Sequence, residues 1–317
     1  MEKRKKTVNN TAIGAFVNQD YFNMSTENYQ KQFQNTDSSF VISKSLLTSI
    51  LNQSEAIDGI RFTYGLADKL NSNSVRILMI PCVSGGMEKN WIQPMLLKEG
   101  YYDHLENIHS CIEVSELTAN FIADIKSRCN DLNYAQITRS GFIGREKIEA
   151  LIENKRCNQV TLHLGYKNGV IQPVFEAQDT ISNSITASFM NMARPVPPFG
   201  QDEGEQLCPE DAVKLQNVTQ EEFNEYRVFR DYHLLNMEGG ATYYELYFFI
   251  IPHMKSLIET RGEQESILNK LYNNQTTPFH ELLMAKRYEE AFELLKETLN
   301  TWVELHQKES AEEYAWS

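Results

Sequence analysis

The chain has 317 residues, 41% of them hydrophobic and 23% charged, an ordinary globular composition that excludes global disorder. The net charge of −13 comes from one end: residues 199–317 hold 10 basic and 23 acidic side chains, and the remainder balances. An acidic surface repels phosphate backbones, which argues against direct nucleic-acid binding there; the longest apolar run, Leu246 to Ile251, is far short of the roughly 18 residues a membrane-spanning helix needs.

Residues 1–20 read as a flexible, Asn- and Lys-rich tail. Lys3, Arg4, Lys5 and Lys6 resemble the start of a secretory leader, but Thr7-Val8-Asn9-Asn10 supplies no apolar segment, so secretion by that route is not expected. The cysteines are Cys82, Cys111, Cys129, Cys157 and Cys208. An odd count with no C-x-x-C pair predicts free thiols and a cytoplasmic setting.

Residues 21–193 predict a duplicated α+β domain, with repeats over about 21–95 and 112–185. Phe40, Val41, Leu46 and Ile50 match Phe142, Ile143, Ile148 and Ile152. Ile60, Phe62, Tyr64 and Gly65 then match Val160, Leu162, Leu164 and Gly165. The first set has i, i+4 helical spacing with Ser43 as an N-cap, and the second alternates as a half-buried strand does. A second strand follows in each copy, over Val75–Ile80 and Val170–Phe175, joined in copy two by the hairpin pair Asn168-Gly169. Pro173 predicts that its strand is an edge or ends early. Each copy opens with a further helix, entered through Met24-Ser25-Thr26-Glu27 or Val114-Ser115-Glu116. The predicted unit is helix–helix–strand–strand, used twice to build one antiparallel sheet with helices on a face, in an α+β arrangement.

The segment Ile42-Ser43-Lys44 followed by Gly59-Ile60-Arg61-Phe62-Thr63-Tyr64-Gly65 resembles a family of uncharacterised bacterial proteins of the Bacteroidota type. Copy two departs from it, with Gln159-Val160-Thr161 in place of Gly59-Ile60-Arg61. The resemblance implies a bacterial, cytoplasmic setting and carries no transferable activity.

Residues 194–211, from Arg194-Pro195-Val196-Pro197-Pro198 into an acidic stretch, predict a linker. Residues 212–317 predict an acidic helical bundle. Thr219-Gln220-Glu221-Glu222 is a capping box, leading a helix whose stripe is Phe223, Tyr226, Phe229, His233 and Met237, with Gly239-Gly240 as its stop. A second, aromatic helix spans about Thr242–Thr260, with Pro252 expected to kink or split it. A short third covers Glu263–Tyr272, and Thr277-Pro278 starts a fourth. In the last helix Tyr288, Phe292, Leu295, Leu299 and Trp302 form an apolar seam at i+3/i+4 spacing, the predicted partner-binding surface.

Phosphate-loop, dinucleotide and serine-elbow motifs are absent from the sequence. His280-Glu281-Leu282-Leu283-Met284 begins as a zinc-protease helix does but has Met in place of the second ligand. Ser84-Gly85-Gly86 reads as a plain turn before an anion nest. The densest polar group is Asp103, His104, Glu106, His109 and Cys111. On a helix Glu106 and His109 would share a face, as metal ligands do, and the bland reading is an exposed polar linker. Alternation points His163 to solvent or a cleft, His233 sits on an apolar stripe as a core histidine, and Glu238 and Glu245 read as solvated. No catalytic residue, cofactor or metal is assigned. The sequence thus points to a non-enzymatic interaction or scaffold protein that meets protein partners, or a second copy, through its aromatic acidic C-terminal helices. The competing reading is an enzyme or small-molecule sensor with a pocket between the two repeats, gathering His104, His109 and Cys111. A third is an acidic surface that mimics nucleic acid.

Overall fold

The computed structural model describes residues 10–34, 36–85, 91–97, 99–129, 137–153, 157–167, 170–179, 189–191, 194–196, 224–226, 228–260 and 277–313. The fold is mixed α+β with antiparallel sheets. After a 3-10 turn at Asn10–Ala12 come β1 (Ala15–Val17), α1 (Gln19–Gln32), β2 (Ser39–Ser43), α2 (Lys44–Leu51), β3 (Gly59–Leu66), β4 (Val75–Gly85), β5 (Trp91–Pro94), β6 (Tyr101–Asp103) and β7 (Ile108–His109). Then follow α3 (Cys111–Arg128), β8 (Ser140–Gly144), α4 (Arg145–Ile152), β9 (Cys157–Lys167), β10 (Val170–Asp179), β11 (Phe189–Asn191) and β12 (Arg194–Val196). A π-helical turn at Phe229–Leu234, α5 (Gly240–Thr260), α6 (Thr277–Met284) and α7 (Tyr288–Glu313) complete the described chain.

Several local expectations shift by one element. Residues 10–20, read as tail, include β1 and the start of α1. Asn18 caps α1, and Ser25 lies buried inside the helix, its hydroxyl donating to the Tyr21 carbonyl. Ser110 caps α3, in a reciprocal box with Glu113. Phe40–Ile42 and Phe142–Ile143 belong to strands, so each half runs helix–strand–helix–strand–strand. Ser43 is the N-cap of α2, as its position suggested, accepting from the Leu46 amide at 3.1 Å. Arg194–Val196, read as linker, pairs with β8 as a strand. The remainder of that linker, the Thr219 capping box, the helix over Glu263–Tyr272, the Asn168-Gly169 turn and Cys208 lie outside the described residues.

The strands form two sheets where one was expected. A five-stranded sheet runs β1-β11-β10-β9-β2, and a larger one runs β12-β8-β3-β4-β6-β7, with β5 against β4. The halves exchange strands: β2 pairs with β9, and β8 pairs with β3. The alternating residues Ile60, Phe62 and Tyr64 of one sheet face Val160, Leu162, Leu164 and Phe175 of the other in a common core, where the Phe62 and Phe175 rings meet edge to face at 4.8 Å. Helices cover both outer faces, so Thr63 and Thr161, on the faces turned away from the core, are also buried. α1 crosses Gly165 through Ser25, and α3 crosses Gly65 through Leu117. A Cβ at either glycine would stand 2.9 Å from the helix, so glycine sets the close approach. Pro173 lies inside β10, opposite Leu164, just past the three residues that pair with β11. Among the described residues, the β11 pairing stops at Val174, so no described strand residue pairs with Pro173 on that side.

The C-terminal helices pack onto the outer side of the larger sheet. Leu246, Phe249 and Ile250 of α5 join Leu299, Trp302 and Val303 of α7 against Leu78, Ile80 and Cys82 of β4. α5 runs through Pro252 as one helix. Gly239, at φ +73°, ends the preceding segment as expected.

At Gly59, a Cβ would stand 2.1 Å from the Ile143 carbonyl oxygen and 2.8 Å from the Gly144 Cα, both backbone atoms of β8. Gly59→Ala is therefore expected to push the β3–β8 pair apart and lower stability by about 2 to 3 kcal/mol. Urea unfolding checks this; an unchanged midpoint would show that the two strands separate freely.

Candidate functional site

The polar group between the halves is a hairpin rather than a helix. Asp103 ends β6 with its side chain fully buried. One carboxylate oxygen accepts from the Leu105 and Asn107 amides at 2.9 Å each, and Asn107 Nδ2 reaches both oxygens. His109 Nε2 lies 3.1 Å from Oδ2, and Arg76 Nε lies 3.6 Å away. Burial pushes the Asp103 carboxyl up, but the bonds from Asn107, His109 and Leu105 outweigh it and hold it below the usual carboxylate range.

The residues weighed as possible metal ligands do not converge. His104 sits edge-on to Phe40, its Nδ1 accepting from the Ile77 amide. Burial keeps its imidazole below the ordinary histidine value. Glu106, at φ +66°, accepts from Ser43 Oγ. Cys111 is buried in the outer core, where burial pushes its thiol up to about 11; the same cause takes Cys82 to about 11. Among the described residues, no three His, Cys, Asp or Glu side chains come together as metal ligands. The group closes a turn.

The apolar seam of α7 faces inward. Phe292, Leu299 and Trp302 are buried, with 5%, 2% and 4% exposure, and Tyr288 and Leu295 are half-buried. Phe292 meets Tyr243 edge-on at 5.7 Å, and Tyr288 stacks on His233 at 3.7 Å while its hydroxyl donates to Glu225. Tyr288 and Phe292 thus pack among the C-terminal helices, and Leu299 and Trp302 join them to the larger sheet, so the residues read as a partner-binding surface make contacts within the chain. The opposite face of α7 carries Glu289, Glu293, Glu297 and Glu304, all exposed. His280 is spent on a hydrogen bond with the Tyr226 hydroxyl at 3.1 Å.

Glu245, expected to be solvated, is buried with Arg139, the residue just before β8. Arg139 Nε lies 2.8 and 2.7 Å from the two carboxylate oxygens, and Nη1 donates to the Ile137 carbonyl. This pair joins α5 to the strand exchanged between the halves. Glu238 is exposed, as read.

Among the described residues, His163 links strands from both halves. Its Nδ1 lies 2.9 Å from Ser39 Oγ on β2, and its Nε2 lies 3.1 Å from Glu176 Oε2 on β10. The pairing explains the geometry: His163 is opposite Ser39 on one side and Val174 on the other, so Glu176, two residues along β10, shares its face. Phe22 of α1 meets the imidazole edge-on at 4.9 Å. Ser39 is exposed, and the Glu176 side chain is 10% exposed. Alternation did place His163 toward a face, but Ser39 and Glu176 carried no sequence signal, since neither lies near it in the chain. A shallow recess of about 390 Å³ beside α1 is lined by Met24, Asn28, Lys31, Gln32, Tyr166 and Lys167 and includes none of the three.

Comparison with known protein families, with curated proteins and with solved structures found no match. Among the described residues no helix is long and apolar enough to cross a membrane.

Proposed function

We propose that the chain is an interaction protein that meets a lysine- and arginine-rich protein surface through the outer face of α7. The observation that carries this reading is the division of that helix: its apolar seam is consumed inside the chain, and its other face is a rigidly mounted row of carboxylates. Glu290 pairs with Arg287, just before the helix, and Glu293 with Lys296 one turn along it. Glu289 lies in the first turn, where a carboxylate favours the helix dipole. Glu297 and Glu304 have no such local role and lie on a face ready for a basic partner. We read the setting as bacterial and cytoplasmic, in keeping with the resemblance to the Bacteroidota-type family and with the free, buried thiols of Cys82 and Cys111.

The two halves read as copies of one unit. β8 and α4 begin 101 residues after β2 and α2, from Ser39 to Ser140 and from Lys44 to Arg145. That offset sets Leu47 opposite Ile148, one residue from the match drawn on sequence alone. Gly65 and Gly165, each under a helix, support the same origin.

Carboxylate-to-lysine cross-linking in cells should join α7 to lysines of one defined partner. The triple change Glu289→Gln, Glu297→Gln and Glu304→Gln should abolish those links while altering stability by about 0.5 kcal/mol or less per site. Cross-links that persist in the variant, or that map elsewhere on the chain, would refute the reading.

A further inference from the structure

The interaction reading leaves Ser39, His163 and Glu176 without a role. We propose that Ser39 is an activated nucleophile for acyl transfer from small esters, with His163 as its general base and Glu176 as the residue that orients the imidazole.

The arrangement has the three parts that such chemistry needs: a hydroxyl, a base within hydrogen-bond reach, and a group that sets the base's tautomer. Glu176 can only accept from His163 Nε2, so the proton resides there and Nδ1 presents its lone pair to Ser39. Burial holds His163 below its ordinary value although Glu176 pulls it up, which leaves the imidazole neutral and able to take a proton near pH 7. Phe22 limits rotation of the ring. Ser39, by contrast, is open to solvent, so a substrate can reach the hydroxyl without displacing the fold. Val41, two residues along the same face of β2 and 49% exposed, offers an apolar contact for the acyl chain. Thr161, on the same face of β9, has a buried hydroxyl with no partner.

In the forward step the Ser39 oxygen attacks the ester carbonyl carbon while its proton passes to His163 Nδ1. The bond to the leaving alcohol then breaks, and the alkoxide takes that proton. Water, deprotonated by the same nitrogen, attacks the acyl-serine; the acid leaves and Ser39 recovers its proton. Atoms and charge balance with ester and water as the only reactants.

The test uses the full chain and a fluorophosphonate probe, which phosphonylates activated serines, with the modified peptide located by mass spectrometry. Ser39 should label in preference to Ser45, an exposed serine on α2. His163→Gln should slow labelling by about 100-fold, the lower end of a general base's contribution. Glu176→Gln should slow it without changing the melting temperature in proportion. Ser39→Ala should remove labelling and leave the fold intact, because its hydroxyl is exposed. Labelling of Ser39 no faster than Ser45, or equal rates in the native protein and His163→Gln, would overturn the proposal and reduce the trio to a cross-strand brace. Neither result bears on the carboxylate face of α7.

Discussion

Replacing Arg139 with Met is expected to destabilise the protein by about 3 to 5 kcal/mol, because it leaves the Glu245 carboxylate buried without its counter-charge. The Arg139 Nε–H is shared between the two carboxylate oxygens at 2.8 and 2.7 Å, with side-chain exposures of 8% and 6%, so water does not replace the lost partner. Arg139 also lies over the Tyr244 ring, 5.7 Å from its centre, and its backbone carbonyl accepts from the Tyr64 amide. The effect should therefore reach both α5 and the β3–β8 pairing. The double change Arg139→Met with Glu245→Leu should recover most of the loss, since an apolar pair of similar size bears no desolvation cost. Chemical denaturation of the four proteins in the cycle measures the coupling. Additive losses would mean that the two charges act independently, contrary to the direct contact of Nε with both carboxylate oxygens.

Replacing Asp103 with Ala should cost a similar 3 to 5 kcal/mol, about the loss seen when one side of a buried charged network is removed. Four donor groups converge on this carboxylate: the Leu105 and Asn107 amides, Asn107 Nδ2 and His109 Nε2. Without it the turn between β6 and β7 loses its organising acceptor. The loop that places His104 on Phe40 and Glu106 on Ser43 should then loosen. The pH dependence has a definite sign. The folded-state value of Asp103 is depressed, so its contribution is complete above the unfolded carboxylate value near about 4 and is lost as pH falls through the folded value. Asp103→Asn should therefore flatten the acid side of the stability profile, with a larger deficit at pH 7 than at pH 3. Parallel profiles for the two proteins would contradict this.

Local features were legible where a few neighbouring residues decide the outcome. The Ser43 cap, the stop at Gly239, the start of α6 at Thr277-Pro278 and the extended course of β3 and β9 were all readable from neighbouring residues, although β3 is buried on both faces rather than half-buried. Where two local signals competed, the choice needed packing. Ser25 and Ser115 looked like caps, but both lie inside helices, with their hydroxyls bonded to carbonyls four residues back. Glu245 has the sequence context of a solvated residue; only Arg139, 106 positions away, makes its burial tolerable. The seam of α7 shows the reverse case. Its spacing fixed which side of the helix is apolar, and the packing of α5 settled that this side is covered by the chain itself.

The sequence by itself determined the α+β class, the acidic helical end, the recurring strand pattern and which side of α7 is apolar, because composition and periodicity act over short distances. Only the tertiary structure decided that the halves exchange strands into two sheets and that Ser39, His163 and Glu176 share a face. Strand pairing is a long-range contact, specified by a whole sheet burying its apolar side; Ser39 and His163 stand 124 residues apart, and no local pattern marks them as neighbours.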